Sequence, residues 1–374
     1  MLKPSHRNDV IDGLRGVALL LMTFNHFIIV VFPSTALISI SGDPIGFLSM
    51  AEVFFFLAGC VTYLAYFDGI EVPGDIQRRR RAIVRRVGTL CAVEIVMMFG
   101  FQAAFGYSPL SGLFTNAAPV GVNQLLPLGL DILPLYIVLL TTVAAFHSFF
   151  RRASSQTILS LSVLLWIGAL GGHVVSMWSA TASANTILYF NIFAIQLLYF
   201  VGFVFAKVIR TRSIHPLMNW VRAPYIGGLL GLLCAILMAM RRVGSYPDFL
   251  TLRQILGPLR IVNFFALSGF FIWLSMHIPI VRFLTLFRVL GRNSLMLFAL
   301  STMCMYFLEA PVRQSELGVS PWGQAVSGVI FLFGLTAAGN LLEAFRVVKD
   351  RSTPPIHFGY RQQGKQKRAP LGNK

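Results

Sequence analysis

Charge is scarce in this 374-residue chain. Only 12% of its residues are Asp, Glu, Lys or Arg, and acids are rarer than bases, 14 against 31. A soluble domain carries about twice that charged fraction, so an ordinary water-soluble globule is excluded. Cysteine is scarcer still: Cys60, Cys91, Cys234 and Cys304 are the only four, and all lie in apolar runs. Their spacing fits neither a disulfide framework nor a metal site. That leaves buried packing as their plain role, with a cysteine-bound acyl intermediate as the alternative. The signatures of soluble enzymes are missing too. There is no G-x-G-x-x-G in a strand–helix setting, no Walker loop, no H-E-x-x-H and no nucleophile elbow. No His and carboxylate set has ligand spacing, so no metal is expected.

What the chain has is apolar mass. Hydrophobic residues make up 56%, with 33 Phe and 32 Gly, and the mean hydropathy is +0.72. Abundant glycine suits membrane helices. Apolar runs of about 20 residues, the length that carries a helix across hydrocarbon, occur near 11–32, 46–67, 84–106, 125–147, 157–178, 187–209, 219–240, 258–279, 290–310 and 322–345. The expected fold is all-α: a polytopic integral membrane protein of about ten transmembrane helices. One ten-helix domain would occupy 1–345, and a basic, disordered cytoplasmic tail 346–374. The first run follows "MLKPSHRND", carries charges inside it and precedes no small-residue cleavage site, so it reads as a span and not as a cleavable signal. No internal repeat is evident.

Cytoplasmic loops carry an excess of Lys and Arg. Placing the N-terminus in the cytoplasm puts "QRRRRAIVRR", "FFRRAS", "KVIRTR", "RFLTLFR" and the tail from Arg346 on one side, so both termini are cytoplasmic. The opposite loops 107–124 and 178–186 contain no Lys or Arg, and only Arg241, Arg242, Arg253, Arg260 and Arg313 remain facing out. The net charge of +17 is then explained by topology and by contact with anionic membrane lipid. Nucleic acid is not needed.

Ionisable groups within spans are costly and mark function by default. In the first span, "DGLRGVALLLMTFNHF", Arg15 and His26 are 11 residues apart, which places them about 20° apart around a helix and ~16 Å apart along it. Asp12 is on the same face, three residues before Arg15. One stripe thus carries an acid and a base near the cytoplasm and an imidazole near the outer side. In the second span Glu52 returns at about the depth of His26, so a carboxylate–imidazole pair is expected, the arrangement a general base needs. Depth counting adds Asp131, His173, Arg242, Arg260, Asn263 and Glu309 to the outer half. Each has a structural alternative. His173 can be a packing residue beside "GG", Asp12–Arg15 a structural ion pair and Glu94 a neutral mid-span group. Arg241 and Arg242 can simply end a helix.

Read together, these segments resemble a known family. "DGLRGVALLLMTFNHF" is similar to the first-helix signature of the membrane-bound acyltransferase-3 group, with its Arg-x10-His pattern at Arg15 and His26. "AEVFFFLAG", "DILPLYIVLL", "FNIFAIQLLYFVGF", "LRIVNFFALSGF" and "LGRNSLMLF", in that order, resemble the OpgC-type succinyltransferases of osmoregulated periplasmic glucans, over residues of about 8 to 345. Many relatives would have Asp before the histidine where this chain has Asn25. That makes Glu52 or Asp131 the better partner for His26.

The resemblance implies a cytoplasmic acyl-CoA donor, with succinyl-CoA foremost, and a periplasmic glucan hydroxyl as acceptor, in the bacterial inner membrane. Arg15 would bind donor phosphates, with Asp12, Arg292 of "GRNS" and the arginine loop 78–86 as further donor-side candidates. His26 would be the base and Glu52 its orienting acid. Asn25, Arg260 or Asn263 would stabilise the oxyanion, and Asp131 and Arg242 face the acceptor side. The arginines Arg241, Arg242, Arg253 and Arg313 would guide the glucan or an anionic acyl group. An acyl-histidine intermediate stays open. So do two rivals: a transporter or flippase using the same buried charges as a path, and an acetyltransferase acting on another envelope polysaccharide.

Overall fold

The computed structural model describes residues 9–33, 45–69, 73–105, 132–178, 191–211, 222–244, 246–315 and 320–352, with residues 35, 37, 38, 42 and 43. The elements are helical: α1 (Asp9–Val31), α2 (Met50–Tyr66), α3 (Pro73–Phe105), α4 (Ile132–Ala145), α5 (His147–Arg152), α6 (Ser155–Trp178), α7 (Ile192–Thr211), α8 (Pro224–Val243), α9 (Asp248–Thr251), α10 (Pro258–His277), α11 (Ile280–Leu284), α12 (Arg288–Arg292), α13 (Ser294–Gln314) and α14 (Pro321–Ser352). Among the described residues seven helices are long and apolar enough to cross a membrane: those of α1, α6, α7, α8, α10, α13 and α14. The apolar helices α2 and α4 are shorter. The run expected at 84–106 lies within α3, which begins already at Pro73, so Arg78 to Arg81 ride on the same helix. Nothing between Asp75 and Arg86 breaks a helix, and Arg, Ala and Gln favour one. The chain is an all-α, multi-pass membrane protein.

The boundary expected at 345 is passed by α14, which stays helical to Ser352. The tail from 353, the loop 107–124, most of the loop 178–186 and Asp131 lie outside the described residues.

Helices α2 and α7 are held at close range by glycine. A side chain on Gly59 would overlap the Tyr199 carbonyl, and one on Gly202 the Phe56 carbonyl. Small residues at such crossings let backbones approach where no hydrophobic force between helices exists in lipid. Two polar contacts lock the register: the Cys60 thiol donates to Gly202 O at 3.2 Å, and the Tyr199 hydroxyl donates to Thr62 Oγ1 at 2.8 Å. Packing is thus the observed role of Cys60. Helix α1 is sandwiched by α2, α13, α14 and the segment α11–α12. Large apolar side chains such as Val96, Phe99, Leu164, Leu229 and Phe333 point outward and are exposed, which suits contact with lipid tails and not water.

Candidate functional site

The polar side chains collect at two ends of the bundle. At the first end Arg15 Nη2 donates to Ser294 Oγ at 2.6 Å, its Nη1 stands 3.8 Å from Asp12, and its guanidinium lies 5.9 Å from the centre of the Phe54 ring. Glycine makes the contact between α1 and the α12 region possible. A Cβ on Gly16 would meet the Phe287 carbonyl, and one on Gly291 the Asp12 backbone. Arg292 reaches three acids from there: Asp9 at 2.7 Å, Glu343 at 3.5 Å and Asp12 at 3.6 Å. The arginines expected on the cytoplasmic side do share this end. Arg86 lines a small cavity with Arg15, Tyr136 and Ser294, and Arg210 pairs with Asp68 at 3.3 Å. The cavity measures about 20 Å³ and is also lined by Met22, Phe54 and Phe298. That is room for one or two waters.

At the other end three side chains expected to lie at one depth do gather. Arg260 is 2% exposed, and each of its nitrogens is engaged: Nη1 with Glu52 Oε1 at 2.6 Å, Nη2 with Asp43 Oδ2 at 2.8 Å, and Nε with the Thr251 carbonyl at 2.8 Å. Glu52, in the first turn of α2 and 0% exposed, accepts with its second oxygen the backbone N–H of Ser49 at 3.0 Å. Asp43 also holds Arg253 at 2.8 Å and Arg241 at 3.7 Å. Asn263 donates to the Ile45 carbonyl at 2.7 Å and fixes the loop entering α2. Burial of Asp43 pushes its carboxyl up, and the guanidiniums of Arg260 and Arg253 more than offset this, leaving it below its ordinary value. Asp43 was not among the residues singled out by sequence. The only signal was its place as a rare acid on the side that also receives Arg241, Arg253 and Arg260.

These bonds correct two expectations. Glu52 is not the carboxylate beside His26, because Arg260 and the Ser49 amide engage both of its oxygens. Arg260 gives Glu52 one short charge-assisted bond from Nη1, while the other arm of its fork goes to Asp43. Nor is Arg260 placed to stabilise an oxyanion, whereas Asn263 gives one of its two amide N–H groups to the Ile45 carbonyl. Arg260 has a partner at every nitrogen.

His26 itself is 8% exposed, and its Nδ1 is buried with no hydrogen-bond partner among the described residues. The Arg253 cation lies within electrostatic reach of it. Asn25 and Arg253 close on the same spot: a Cβ built on Gly42 would sit 3.5 Å from Arg253 Nη2 and 3.6 Å from Asn25 Oδ1. Arg242 lies in the last turn of α8 and is exposed. Between Arg15 and His26 the same face of α1 carries Leu19 and Met22, both buried.

A far larger groove, about 1020 Å³, runs along α1, α2, α7 and α10, and it meets α1 from Asp9, Val10 and Ile11 through Leu14 and Val17 to Ala18 and Leu21. At 100° per residue Leu14, Val17 and Leu21 point away from the Arg15–His26 stripe, while Ile11 and Ala18 lie within about 60° of Arg15, so the groove borders the stripe on one side. Among the described residues no three His, Cys, Asp or Glu side chains converge as a metal centre requires.

A buried imidazole with an unengaged nitrogen can move a proton, and the arginines at the small cavity, three turns away on the same face of α1, can hold an anionic ligand. Comparison with known proteins narrows this. Curated proteins give no match to the chain. A family model described as OpgC protein matches residues 7–347, almost the whole of the helical part. The chain therefore belongs to the OpgC protein family, a membership that supports a glucan-modifying acyltransferase in general terms.

Proposed function

We propose that this protein sits in the bacterial inner membrane. There it moves an acyl group, succinyl foremost, from cytoplasmic acyl-CoA to a hydroxyl of a periplasmic glucan, with His26 as general base. One observation carries the reading. A single inward stripe of α1 holds Arg15 at the arginine-rich end and His26, with its Nδ1 unengaged, three turns further along. An inner-membrane transferase that takes its donor from one side and its acceptor from the other needs that pair.

In this reading Arg15 and Arg86, beside the cavity with Ser294, meet the donor's phosphates. Arg292 and Asp12 serve the same end by fixing α1 against α12, since Arg292 is held by three acids. The acyl thioester comes to rest beside His26. The sugar hydroxyl oxygen attacks the thioester carbonyl carbon while the imidazole takes the hydroxyl proton. The tetrahedral oxyanion then collapses, the C–S bond breaks, and the departing CoA sulfur receives the proton from the imidazolium. With Arg260 committed elsewhere, the amides of Asn25 and Asn263 are assigned to meet the oxyanion. Arg242, at the exposed end of α8, is left to the acceptor. Glu52 acts indirectly, by keeping Arg260 and hence the loop around Asp43 in place.

The test uses the full chain in liposomes with labelled succinyl-CoA or acetyl-CoA and a glucan. Label moving to glucan with wild type, and falling by roughly 10²–10⁴-fold with His26→Ala, is the expected result. Equal transfer by His26→Ala would remove the base assignment. Glucan or CoA flux without any transfer would replace the enzyme by a transporter.

A further inference from the structure

At the His26 end three arginines face two acids. Asp43 and Glu52 are the carboxylates, and Arg241, Arg253 and Arg260 are the cations paired with them. Among the described residues this leaves one positive charge in excess. Arg260 is saturated. Arg241 is half exposed, 3.7 Å from Asp43, and is compensated by solvent. Arg253 is different. Both of its bonds, to Asp43 Oδ1 at 2.8 Å and to the Gly42 carbonyl at 3.0 Å, leave from Nη2, while its Nε is buried without a partner. A largely buried guanidinium with an idle N–H is costly unless an acceptor arrives to complete it.

The backbone is also set to present this side chain. Arg253 and Arg260 flank a tight turn in which the Leu256 N–H bonds to the Arg253 carbonyl at 3.2 Å and the Gly257 N–H to the Leu252 carbonyl at 3.1 Å. Leu256 adopts φ +50°, a left-handed conformation uncommon for a side chain of its kind. Its carbonyl accepts the Trp166 indole N–H at 3.0 Å, which holds the turn in that shape. Such strain persists where the surroundings over-determine it, and it clusters at ligand sites. Arg253 and Asn25 converge on Gly42, where a Cβ would stand 3.5 Å from Arg253 Nη2 and 3.6 Å from Asn25 Oδ1, and His26 is the next residue along α1 after Asn25.

We propose that Arg253 determines donor specificity by receiving a carboxylate at the far end of the acyl group, so that the site favours half-thioesters of dicarboxylic acids over plain acyl groups. This rests on the acyl-transfer reading. The incoming carboxylate accepts from the idle donors of Arg253 and neutralises the surplus charge, which orients the thioester carbonyl towards His26. An acetyl group leaves the same donors unmet.

The experiment compares succinyl-CoA with acetyl-CoA on a neutral glucan, using the full chain in liposomes, for wild type, Arg253→Gln and Arg253→Lys. Wild type should favour succinyl. Arg253→Gln should lower kcat/KM for succinyl-CoA roughly tenfold or more, the effect of losing a hydrogen bond to a charged group, and leave acetyl transfer within about twofold. Arg253→Lys, which keeps the charge and loses the fork, should lie between them, and it decides the matter if Arg253→Gln fails to fold. A parallel fall with both donors would make Arg253 a structural residue and overturn the proposal. So would a loss that appears only when the glucan itself carries anionic substituents, because the carboxylate site would then belong to the acceptor. Wild type that acylates with neither donor would instead sink the acyl-transfer reading.

Discussion

Arg260 on α10 and Glu52 on α2 are joined at 2.6 Å across 208 residues of sequence, with no more than 3% of either side chain exposed. The bond ties the start of α2 to the start of α10. Through Asp43 the same guanidinium also ties in the loop that follows α1. Three segments therefore share one cation.

Removing that cation should be expensive. Arg260→Met leaves two buried carboxylates with a weakened counter-charge, and breaking a buried pair from one side costs about 3–5 kcal/mol. A clear drop in the thermal midpoint in detergent is expected. A double change that also replaces Glu52 by Gln should recover part of it. An unchanged midpoint for Arg260→Met would mean that the pair contributes nothing to the fold.

Asp43 gives this cluster a pH dependence with a definite sign. Its folded value is lowered, so the stabilisation is present above the ordinary carboxylate value of 3.8 and is lost as pH falls through the folded value. This group should give the wild-type midpoint no pH dependence between pH 7 and 5, where its stabilisation is fully present, and the midpoint should decline below pH 3.8. In Asp43→Asn the midpoint should be lower at neutral pH and less steep in acid. Identical acid slopes in the two proteins would refute the assignment.

The hydrogen bond from Arg15 to Ser294 is expected to position the donor-binding guanidinium. Ser294→Ala should raise KM for acyl-CoA by about fivefold, corresponding to about 1 kcal/mol, and leave kcat nearly unchanged. A fall in kcat with constant KM would place Ser294 nearer the chemistry than to donor binding.

Leu19 and Met22 close the interior between the cavity at Arg15 and the imidazole. Methionine is flexible enough to move aside, and tryptophan is not. Met22→Trp should therefore still bind CoA, measured by equilibrium dialysis, yet transfer at least tenfold more slowly, a loss of about 1.4 kcal/mol in barrier terms. Full activity in Met22→Trp would show that the acyl arm takes another route.

The helices and their basic end were legible because both follow from one-dimensional quantities: run length, and the count of Lys and Arg per loop. The stripe of Asp12, Arg15 and His26 was legible for the same reason, since it lies within one helix. What failed to show was partner choice. Depth counting brought Glu52, Arg260 and Asn263 to the level of His26, but it could not tell that Arg260 and Glu52 would take each other. Their contact depends on how α10 leans against α2, and the residue that completes it, Asp43, sits in a short loop with no helical periodicity to betray it. Ser294 was overlooked for a like reason. It is one hydroxyl in "GRNS", beside an arginine that drew attention to itself.

The span of the Arg15–Ser294 contact also bears on how the protein is made. Its two ends are 279 residues apart, and at the usual pace of synthesis of ~5–20 residues per second that is roughly 15–55 s. During that interval α1 is already in the bilayer while α12 and α13 are still being translated. Asp12 and Arg15 lie one turn apart and 3.8 Å from each other, so the young helix brings its own counter-ion and enters as a nearly neutral segment. The later arrival of Ser294 and Arg292 adds partners to a pairing that persists in the folded protein. A chain with Asp12→Asn should then stall at insertion, before any question of catalysis arises.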